Sequence, residues 1–308
     1  MTLPRQGAGR LVWAGLVCVA VTALVYLISV RTGWGQQVGN DALAGRSQAG
    51  ADSQRAGQRL LDTISVASLA VGGLSLMTLA VLRGRWRLAL GVAVLMGGAN
   101  VTTQVLKRYI LDRPDLLAGP AEYHANSLPS GHCTAAATLA LALVLVVPRP
   151  LRRLAAVVAL AYAGGVGVAV LATGWHRAGD AVAAWGVVGA WTFAVAAGLV
   201  VLRGGWTSPA PRQRERSERT SHLLGQAAAV LLGLWAVGLL VTLAAQHATL
   251  DRVRNGAAFW GGCVWIVGSL LALLALVVWA LRDIALDTPA APSAGPADPA
   301  QAPATLRG

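Results

Sequence analysis

Eight apolar runs constrain this chain more than any other feature of its sequence. A transmembrane helix needs about 20 mostly apolar residues, because each residue rises about 1.5 Å and the hydrocarbon core is about 30 Å thick. The sequence therefore predicts an all-α fold, a polytopic membrane helix bundle. The predicted helices cover residues 11–30, 63–82, 88–106, 133–147, 154–172, 181–202, 223–243 and 256–281.

The amino-acid composition also indicates that most of this chain lies in a lipid bilayer. Of its 308 residues, 56% are hydrophobic and only 12% are charged, which is too little charge to cover a soluble domain of this size. The net charge of +12 comes from short arginine clusters between the apolar runs, as at 83–87 and 149–153. Such clusters suit anionic lipid headgroups, so we expect a membrane partner and no nucleic acid.

The distribution of Lys and Arg predicts the orientation of the helices. Cytoplasmic loops carry an excess of both residues. With the N-terminus inside, most of the 25 basic residues fall in cytoplasmic segments, and four of the others belong to the motifs described below. We therefore expect a multi-pass protein of the cell membrane with cytoplasmic N- and C-termini. The first apolar run is too long for a signal-peptide core and lacks a small-residue cleavage site, which favours a retained anchor.

Polar intervals divide the chain into four predicted units. Residues 1–202 form a six-helix transmembrane core, and residues 223–282 form a C-terminal pair of transmembrane helices. The basic interval 203–222 contains two prolines and is typical of a cytoplasmic linker. Residues 283–308 are rich in Pro and Ala, so we expect a disordered tail. The polar interval 31–62 could cover the outer face of the core.

Residues able to do chemistry concentrate in two loops on the outer side of this topology. The first loop contains KRYILDRP at 107–114 and PSGH at 129–132, and the second contains TGWHRAGD at 173–180. Both loops adjoin the start of an apolar helix. Their side chains are therefore able to meet in one site at the membrane face.

These residue types suit the binding of a phosphoryl group. Ser130 is a natural N-cap, so the N–H groups of the following helical turn are left to bind an anion. Gly131 allows the backbone to approach that anion closely. Lys107 and Arg113 supply cationic donors, and an arginine can bind two phosphate oxygens at once.

Two histidines offer catalytic groups beside these cations. His176 and Asp180 are four residues apart, which is one helical turn. A carboxylate bonded to one ring nitrogen leaves the other nitrogen free to attack phosphorus. His132 could then protonate the leaving oxygen. No carboxylate cluster or cysteine set suited to a metal accompanies them, so we expect neither a metal nor another cofactor.

Each motif alone also has a purely structural explanation, as a turn and cap, a capped interfacial histidine or a solvated basic loop. Together they are more specific, and the chain resembles the type-2 phosphatidic acid phosphatase superfamily, which includes the vanadium haloperoxidases. That family's pattern is Lys and Arg-Pro, then Pro-Ser-Gly-His, then Ser-Arg-x5-His-x3-Asp. The resemblance covers about residues 60–202, the six-helix phosphatase-like core.

The resemblance implies a metal-independent lipid phosphate phosphatase that acts through a phosphohistidine. His176 would attack phosphorus, His132 would protonate the leaving group, and Asp180 would orient His176. The phosphoryl oxygens would be held by Lys107, Arg113, Ser130 and Gly131.

The chain departs from the family pattern at two places. Lys107 and Arg113 have five residues between them, where the family usually has six. The family's Ser-Arg falls on residues 169–170, which are Ala and Val here, so one phosphate-binding arginine is missing. Arg177 or Arg108 would have to replace it.

We therefore predict a membrane phosphatase that hydrolyses a lipid phosphomonoester or pyrophosphate at the extracytoplasmic face. Two alternatives use the same residues. One is a protein that binds or transports a lipid headgroup through a degenerate site, and the other is a lipid phosphotransferase with a different acceptor. The sequence leaves the lipid, the acceptor and the oligomeric state open.

Overall fold

The computed structural model describes residues 3–117, 125–148, 151–203, 211–247, 250–282 and 284, and every regular element within these ranges is helical. A 3₁₀ turn at Gly45–Ala49 separates the second helix from the third, and a π-helical turn at Leu106–Ile110 extends the fifth. The α-helices are α1 (Leu3–Ser29), α2 (Gly33–Ala44), α3 (Gly50–Asp62), α4 (Val66–Leu82), α5 (Trp86–Val105), α6 (Gly131–Val146), α7 (Arg152–Ala172), α8 (Ala178–Arg203), α9 (Pro211–His247) and α10 (Asp251–Ala280).

All eight predicted apolar helices are present, as α1 and α4 to α10. By length and composition, six of them can cross a membrane: α1, α5, α7, α8, α9 and α10. A seventh candidate is α4 together with Gly33–Asp62, a pair bent by 64°. The remaining helix, α6, has 16 residues and is about 24 Å long. The predicted all-α, polytopic membrane bundle is confirmed.

Side-chain caps explain where several of these helices begin. Ser65 and Ser68 form a reciprocal capping box at the start of α4. The hydroxyl of Thr32 accepts from the N–H of Gly35 at the start of α2, and Ser130 caps α6. Gly84, with a φ of +69°, makes the tight turn between α4 and α5. Serine and threonine caps thus mark the start of α2, α4 and α6, and a glycine makes the turn between α4 and α5.

The centre of the bundle is α8, which packs against α1, α5, α6 and α10. Small residues on α8 allow this close packing, as is common between membrane helices. A Cβ atom at Gly186 would lie 2.8 Å from the carbonyl oxygen of Cys18 in α1, and it would also overlap Thr22. Residue 186 must therefore be glycine for α1 and α8 to keep their present separation.

The interval 31–62 is mostly helical, which its polar composition did not indicate. It forms α2, the 3₁₀ turn and α3, and these lie across one end of the bundle. The side chain of Gln36 donates to the carbonyl oxygens of Val30 and Pro114 at 2.8 and 2.7 Å. Asp41 forms an ion pair with Arg254 at 3.2 Å. We refer to residues 33–62 as the outer layer.

The C-terminal helices α9 and α10 pack along each other, and α10 also packs against α2, α7 and α8. The helix α9 already begins at Pro211, so the described part of the predicted linker 203–222 is helical. The predicted disordered tail 283–308 lies outside the described residues, except Ile284. The division into four units stays a prediction.

The two ends of the bundle have different polar contacts. At the end opposite the outer layer, Arg83 and Arg85 donate to the carbonyl oxygen of Val146 at 2.9 and 3.0 Å. Arg282 lies 3.5 Å from a carboxylate oxygen of Glu218 at that same end. These three arginines, which belong to the segments used to predict the orientation, therefore lie away from the two loops that carry the chemical motifs.

The close approach of α1 and α8 generates a first prediction. We expect Gly186→Ala to lower the free energy of unfolding by about 1–3 kcal/mol, because the new methyl group would overlap the α1 backbone. Thermal unfolding of the detergent-solubilised protein measures the effect. Gly198→Ala is the control, because a Cβ atom there meets nothing within 4 Å. Equal melting temperatures for the two variants would contradict the packing.

Candidate active site

The buried carboxylate of Asp180 organises the predicted catalytic residues. Its Oδ2 atom accepts from Nδ1 of His176 at 3.1 Å, from the hydroxyl of Ser127 at 2.5 Å and from the N–H of Arg177 at 3.1 Å. An ionised carboxylate only accepts hydrogen bonds, so Nδ1 carries the proton of the neutral ring. The Nε2 atom of His176 is then the nitrogen with the free lone pair.

A backbone hydrogen bond joins the start of α6 to the start of α8. The N–H of Ser130 donates to the carbonyl oxygen of Asp180 at 3.0 Å. The hydroxyl of Ser130 accepts from the N–H of Cys133 at 3.4 Å, which confirms the predicted N-cap. Gly131 follows at the first helical position, where an added Cβ atom would lie 3.3 Å from the side-chain nitrogen of Gln104. The two motif-bearing helix starts therefore share one end of the bundle.

His132 lies in the first turn of α6 and meets the second motif through Trp175. The ring centroids of His132 and Trp175 are 5.1 Å apart, with an edge-on angle of 67°. His132 also interacts electrostatically with His176 and Lys107. The structure therefore brings together the two histidines that the sequence separates by more than 40 residues.

Lys107 lies on the π-helical turn that follows α5. Such turns occur often at functional sites, because they redirect side chains out of the regular helical register. Lys107 is half-buried and interacts electrostatically with Asp180. The side chain of Asn126 donates to the carbonyl oxygens of Lys107 and Leu111 at 3.3 and 2.9 Å. Through these hydrogen bonds, Asn126 connects the segment that precedes PSGH to the π-helical turn that carries Lys107.

Arg113 is a second half-buried cation near the carboxylate. Burial lowers the pKa of Arg113, the positive charge of Arg177 lowers it further, and Asp180 partly opposes both, which leaves a pKa of about 10. At that pKa the guanidinium still carries its charge at neutral pH. The lowered pKa therefore reflects mainly the cost of burying this guanidinium group, to which the nearby charge of Arg177 adds.

Arg177 is buried, and its guanidinium is held by the outer layer. Its Nε and Nη2 atoms donate to the side-chain oxygen of Asn40 at 3.2 and 3.0 Å, and Nη1 lies 3.4 Å from the hydroxyl of Ser127. Val170, where the family pattern places an arginine, is fully buried in α7. Of the two proposed replacements, Arg177 lies in the site, whereas Arg108 is exposed.

A polar pocket of about 330 Å³ opens beside His176. Arg46 of the 3₁₀ turn lines it and packs against Gly174, whose φ of +80° requires glycine. The pocket brings the outer layer, the segment before PSGH and the second motif together. Its lining residues are Leu43, Arg46, Ala125, Ser127, Gly174, Trp175, His176 and Arg177.

Sequence reasoning missed Arg46, Asn40 and Ser127. Of these three residues, only Ser127 could have been predicted from the sequence, because it lies three residues before Ser130 in a loop already assigned to the site. Arg46 and Asn40 belong to an interval without a motif, and only the folding of the outer layer over the bundle brings them to the site. The loop residues 118–124, including Glu122 and His124, lie outside the described residues.

Comparison with known protein families agrees with this geometry. Residues 86–204 match the PAP2 superfamily. The match runs from α5 to α8 and includes both histidines and Asp180, so the predicted resemblance to the type-2 phosphatidic acid phosphatase superfamily is confirmed. Together with the apolar helices, it supports a membrane protein of the phosphatase type. Searches of curated proteins and of solved structures found no match to the chain.

The packing of Arg177 against the outer layer generates a second prediction. A Cβ atom at Gly39 would lie 3.0 Å from Cδ of Arg177. We expect Gly39→Val to displace the guanidinium and to weaken binding of inorganic phosphate roughly tenfold, because a charged hydrogen bond is lost. Protection from thermal unfolding by added phosphate measures the affinity.

Gly33→Val is the matched control, since it lies on the same helix and a Cβ atom there meets nothing within 4 Å. Unchanged phosphate protection in Gly39→Val would show that Arg177 does not contact the anion.

Proposed function

We propose that this protein hydrolyses a phosphomonoester or pyrophosphate of a lipid at the extracytoplasmic face, through a phosphohistidine on His176. The observation that supports it most directly is the hydrogen bond between Nδ1 of His176 and the buried carboxylate of Asp180. That bond leaves Nε2 as the nucleophilic atom beside a polar pocket lined with arginine. A histidine needed only for packing would not require this arrangement.

In the first step, the lone pair of Nε2 of His176 attacks phosphorus. A bond from Nε2 to phosphorus forms, and the bond from phosphorus to the leaving oxygen breaks. Burial and the neighbouring His176 and Lys107 lower the pKa of His132 in the free protein, so in this proposal His132 binds its proton only when the anionic phosphate ester lies beside it. His132 then transfers that proton to the leaving oxygen, which departs as the lipid alcohol or, from a pyrophosphate, as the lipid monophosphate. Asp180 keeps its hydrogen bond and stabilises the positive charge that develops on the His176 ring.

In the second step, water attacks the phosphohistidine. His132, now neutral, accepts a proton from the water, while the bond between phosphorus and Nε2 breaks and its electron pair returns to His176. Phosphate is released, and both histidines regain their starting protonation states. An alcohol that took the place of water would give a phosphotransferase with the same residues, so the identity of the acceptor must be measured.

Cations around the site stabilise the negative charge of the phosphoryl oxygens. Arg113, Arg177 and Lys107 supply fixed positive charge, and Arg46 adds a further cation at the mouth of the pocket. The first-turn N–H groups of α6 add further donors. In this proposal Arg177, held by Asn40, replaces the arginine that the family pattern places at residue 170.

Two features favour a lipid substrate outside the cytoplasm. The site lies at one end of an apolar bundle. The ends of helices that cross a membrane lie at the level of the lipid headgroups. Arg83, Arg85 and Arg282 lie at the opposite end, and by the positive-inside rule we expect that end to face the cytoplasm.

Replacement of the nucleophile tests the reaction. We expect His176→Ala to abolish phosphate release from lipid phosphates, and Asp180→Asn to reduce it by roughly 10³-fold or more, because the histidine loses its oriented tautomer. His222→Ala is the control, since that side chain is exposed on α9. Acid-labile phosphate should be trapped on the wild type and not on His176→Ala. Full turnover by His176→Ala would contradict the mechanism, and binding without any trapped phosphate would favour a headgroup carrier.

Cysteine labelling tests the orientation. Cys18, Cys133 and Cys263 are buried, so a membrane-impermeant maleimide should label the wild type weakly. In right-side-out vesicles we expect labelling of Ser53→Cys in the outer layer and none of Glu215→Cys at the opposite end. The reverse pattern would place the site in the cytoplasm.

A further inference from the structure

A second, apolar cavity of about 440 Å³ lies between α1, α2, α8, α9 and α10. This volume falls within the range of pockets that bind small organic ligands. Most of its lining is Val, Leu, Ala, Gly and Trp. Polar groups concentrate at one end, where Arg113, Arg177 and Asp180 contribute to the wall. We call this cavity the apolar cleft.

The apolar cleft is long and runs parallel to the helices. On α10 its lining extends from Ala257 to Leu276, which corresponds to about 28 Å of helix. This length is close to the thickness of a bilayer's hydrocarbon core, about 30 Å. On α1 the lining extends from Val17 to Ser29. An elongated apolar cavity of this kind fits a hydrocarbon chain better than a compact ligand.

One side chain connects the apolar cleft to the polar pocket. Arg177 lines both cavities, whereas His176 lines the polar pocket only. A phosphate held by Arg177 beside His176 therefore lies at the polar end of the cleft. A chain attached to that phosphate has an apolar path away from the site and toward the other end of the bundle.

The C-terminal helix pair forms one wall of this path. Trp235 of α9 and Trp265 of α10 line the cleft and stack on each other, with ring centroids 5.0 Å apart and an angle of 16°. Gly238 and Gly261 lie at a backbone contact that keeps the two helices together. Both helices lie beyond residues 86–204, the segment that matches the PAP2 superfamily. Without them, the cleft would be open on this side.

We propose that the apolar cleft binds a single long hydrocarbon chain of the phosphorylated lipid and that α9 and α10 set the preferred chain length. This inference rests on the proposed function, since it takes the substrate's phosphate to lie at Arg177. The occupant is the substrate's own chain rather than a bilayer lipid, because the cleft leads directly to the catalytic groups. The C-terminal pair then acts in substrate selection.

A chain-length series tests this proposal. Single-chain alkyl phosphates from butyl to hexadecyl are assayed for phosphate release in mixed micelles with the wild type, Ala272→Trp, Ala257→Trp and the control Ala236→Trp. Ala257 lines the cleft near its polar end, and Ala272 lines it about 22 Å further along α10. Ala236, in contrast, is exposed on α9.

We expect kcat/KM of the wild type to rise by roughly tenfold or more along the series, because a longer chain makes more dispersion contacts with the wall of the cleft. Ala272→Trp should lose the gain for the longest chains only. Ala257→Trp should lose it for intermediate chains as well, and Ala236→Trp should match the wild type. A misfolded variant would lose activity on butyl phosphate too, so the graded pattern separates blockage from unfolding.

The two proposals fail in different ways. Equal kcat/KM for all chain lengths, or equal profiles for the cleft variants and Ala236→Trp, would overturn the cleft assignment and leave the phosphatase intact. If the wild type hydrolyses none of these substrates, the proposed function fails for this class. A photoactivatable alkyl phosphonate then tests the cleft directly, and cross-links outside α1, α2, α8, α9 and α10 would overturn it.

Discussion

The site depends on one buried carboxylate. Burial of Asp180 in a bundle of apolar helices is costly unless its charge is balanced by hydrogen-bond donors. Three donors from two segments meet its Oδ2 atom, and its own carbonyl oxygen accepts from the N–H of Ser130. Because these partners come from the start of α6 and the start of α8, the contacts that satisfy the carboxylate also bring the two motifs together. The hydrogen bonds that stabilise the buried charge of Asp180 therefore also determine the geometry of the site.

Segments outside residues 86–204, the part of the chain that matches the family, contribute side chains to the site. The outer layer supplies Asn40, which holds Arg177, and Arg46, which lines the polar pocket. It is itself held by α10 through the ion pair between Asp41 and Arg254. The C-terminal pair thus supports the site indirectly, through the outer layer, and forms the wall of the apolar cleft directly. In the proposed mechanism, Arg177 takes the place of the arginine that is absent at residue 170, and the position of Arg177 depends on these added elements.

Sequence could predict the parts of this structure that local rules determine. The lengths of the apolar runs predict the eight helices, and capping chemistry predicts the start of α6 at Ser130. The spacing of His176 and Asp180, one helical turn, indicates the hydrogen bond between them. The helices of the outer layer were not predicted, because helices that lie across the end of a bundle need no long apolar run. Asn40 was not predicted either, since its contact with Arg177 spans 137 residues and follows only from tertiary packing.

The distribution of charge explains why a phosphate ester suits this site. Lys107, Arg113 and Arg177 carry positive charge near the buried carboxylate of Asp180, and burial, together with the charge of Arg177, lowers the pKa of Arg113. A phosphate dianion would stabilise the charged forms of these partly buried cations, whereas a neutral headgroup would not. The apolar cleft begins at two of these cations, Arg113 and Arg177, and contains few polar groups beyond them. The polar pocket and the apolar cleft therefore have opposite character where they meet at Arg177, which is why we propose an amphiphile with an anionic head and a long chain as the substrate.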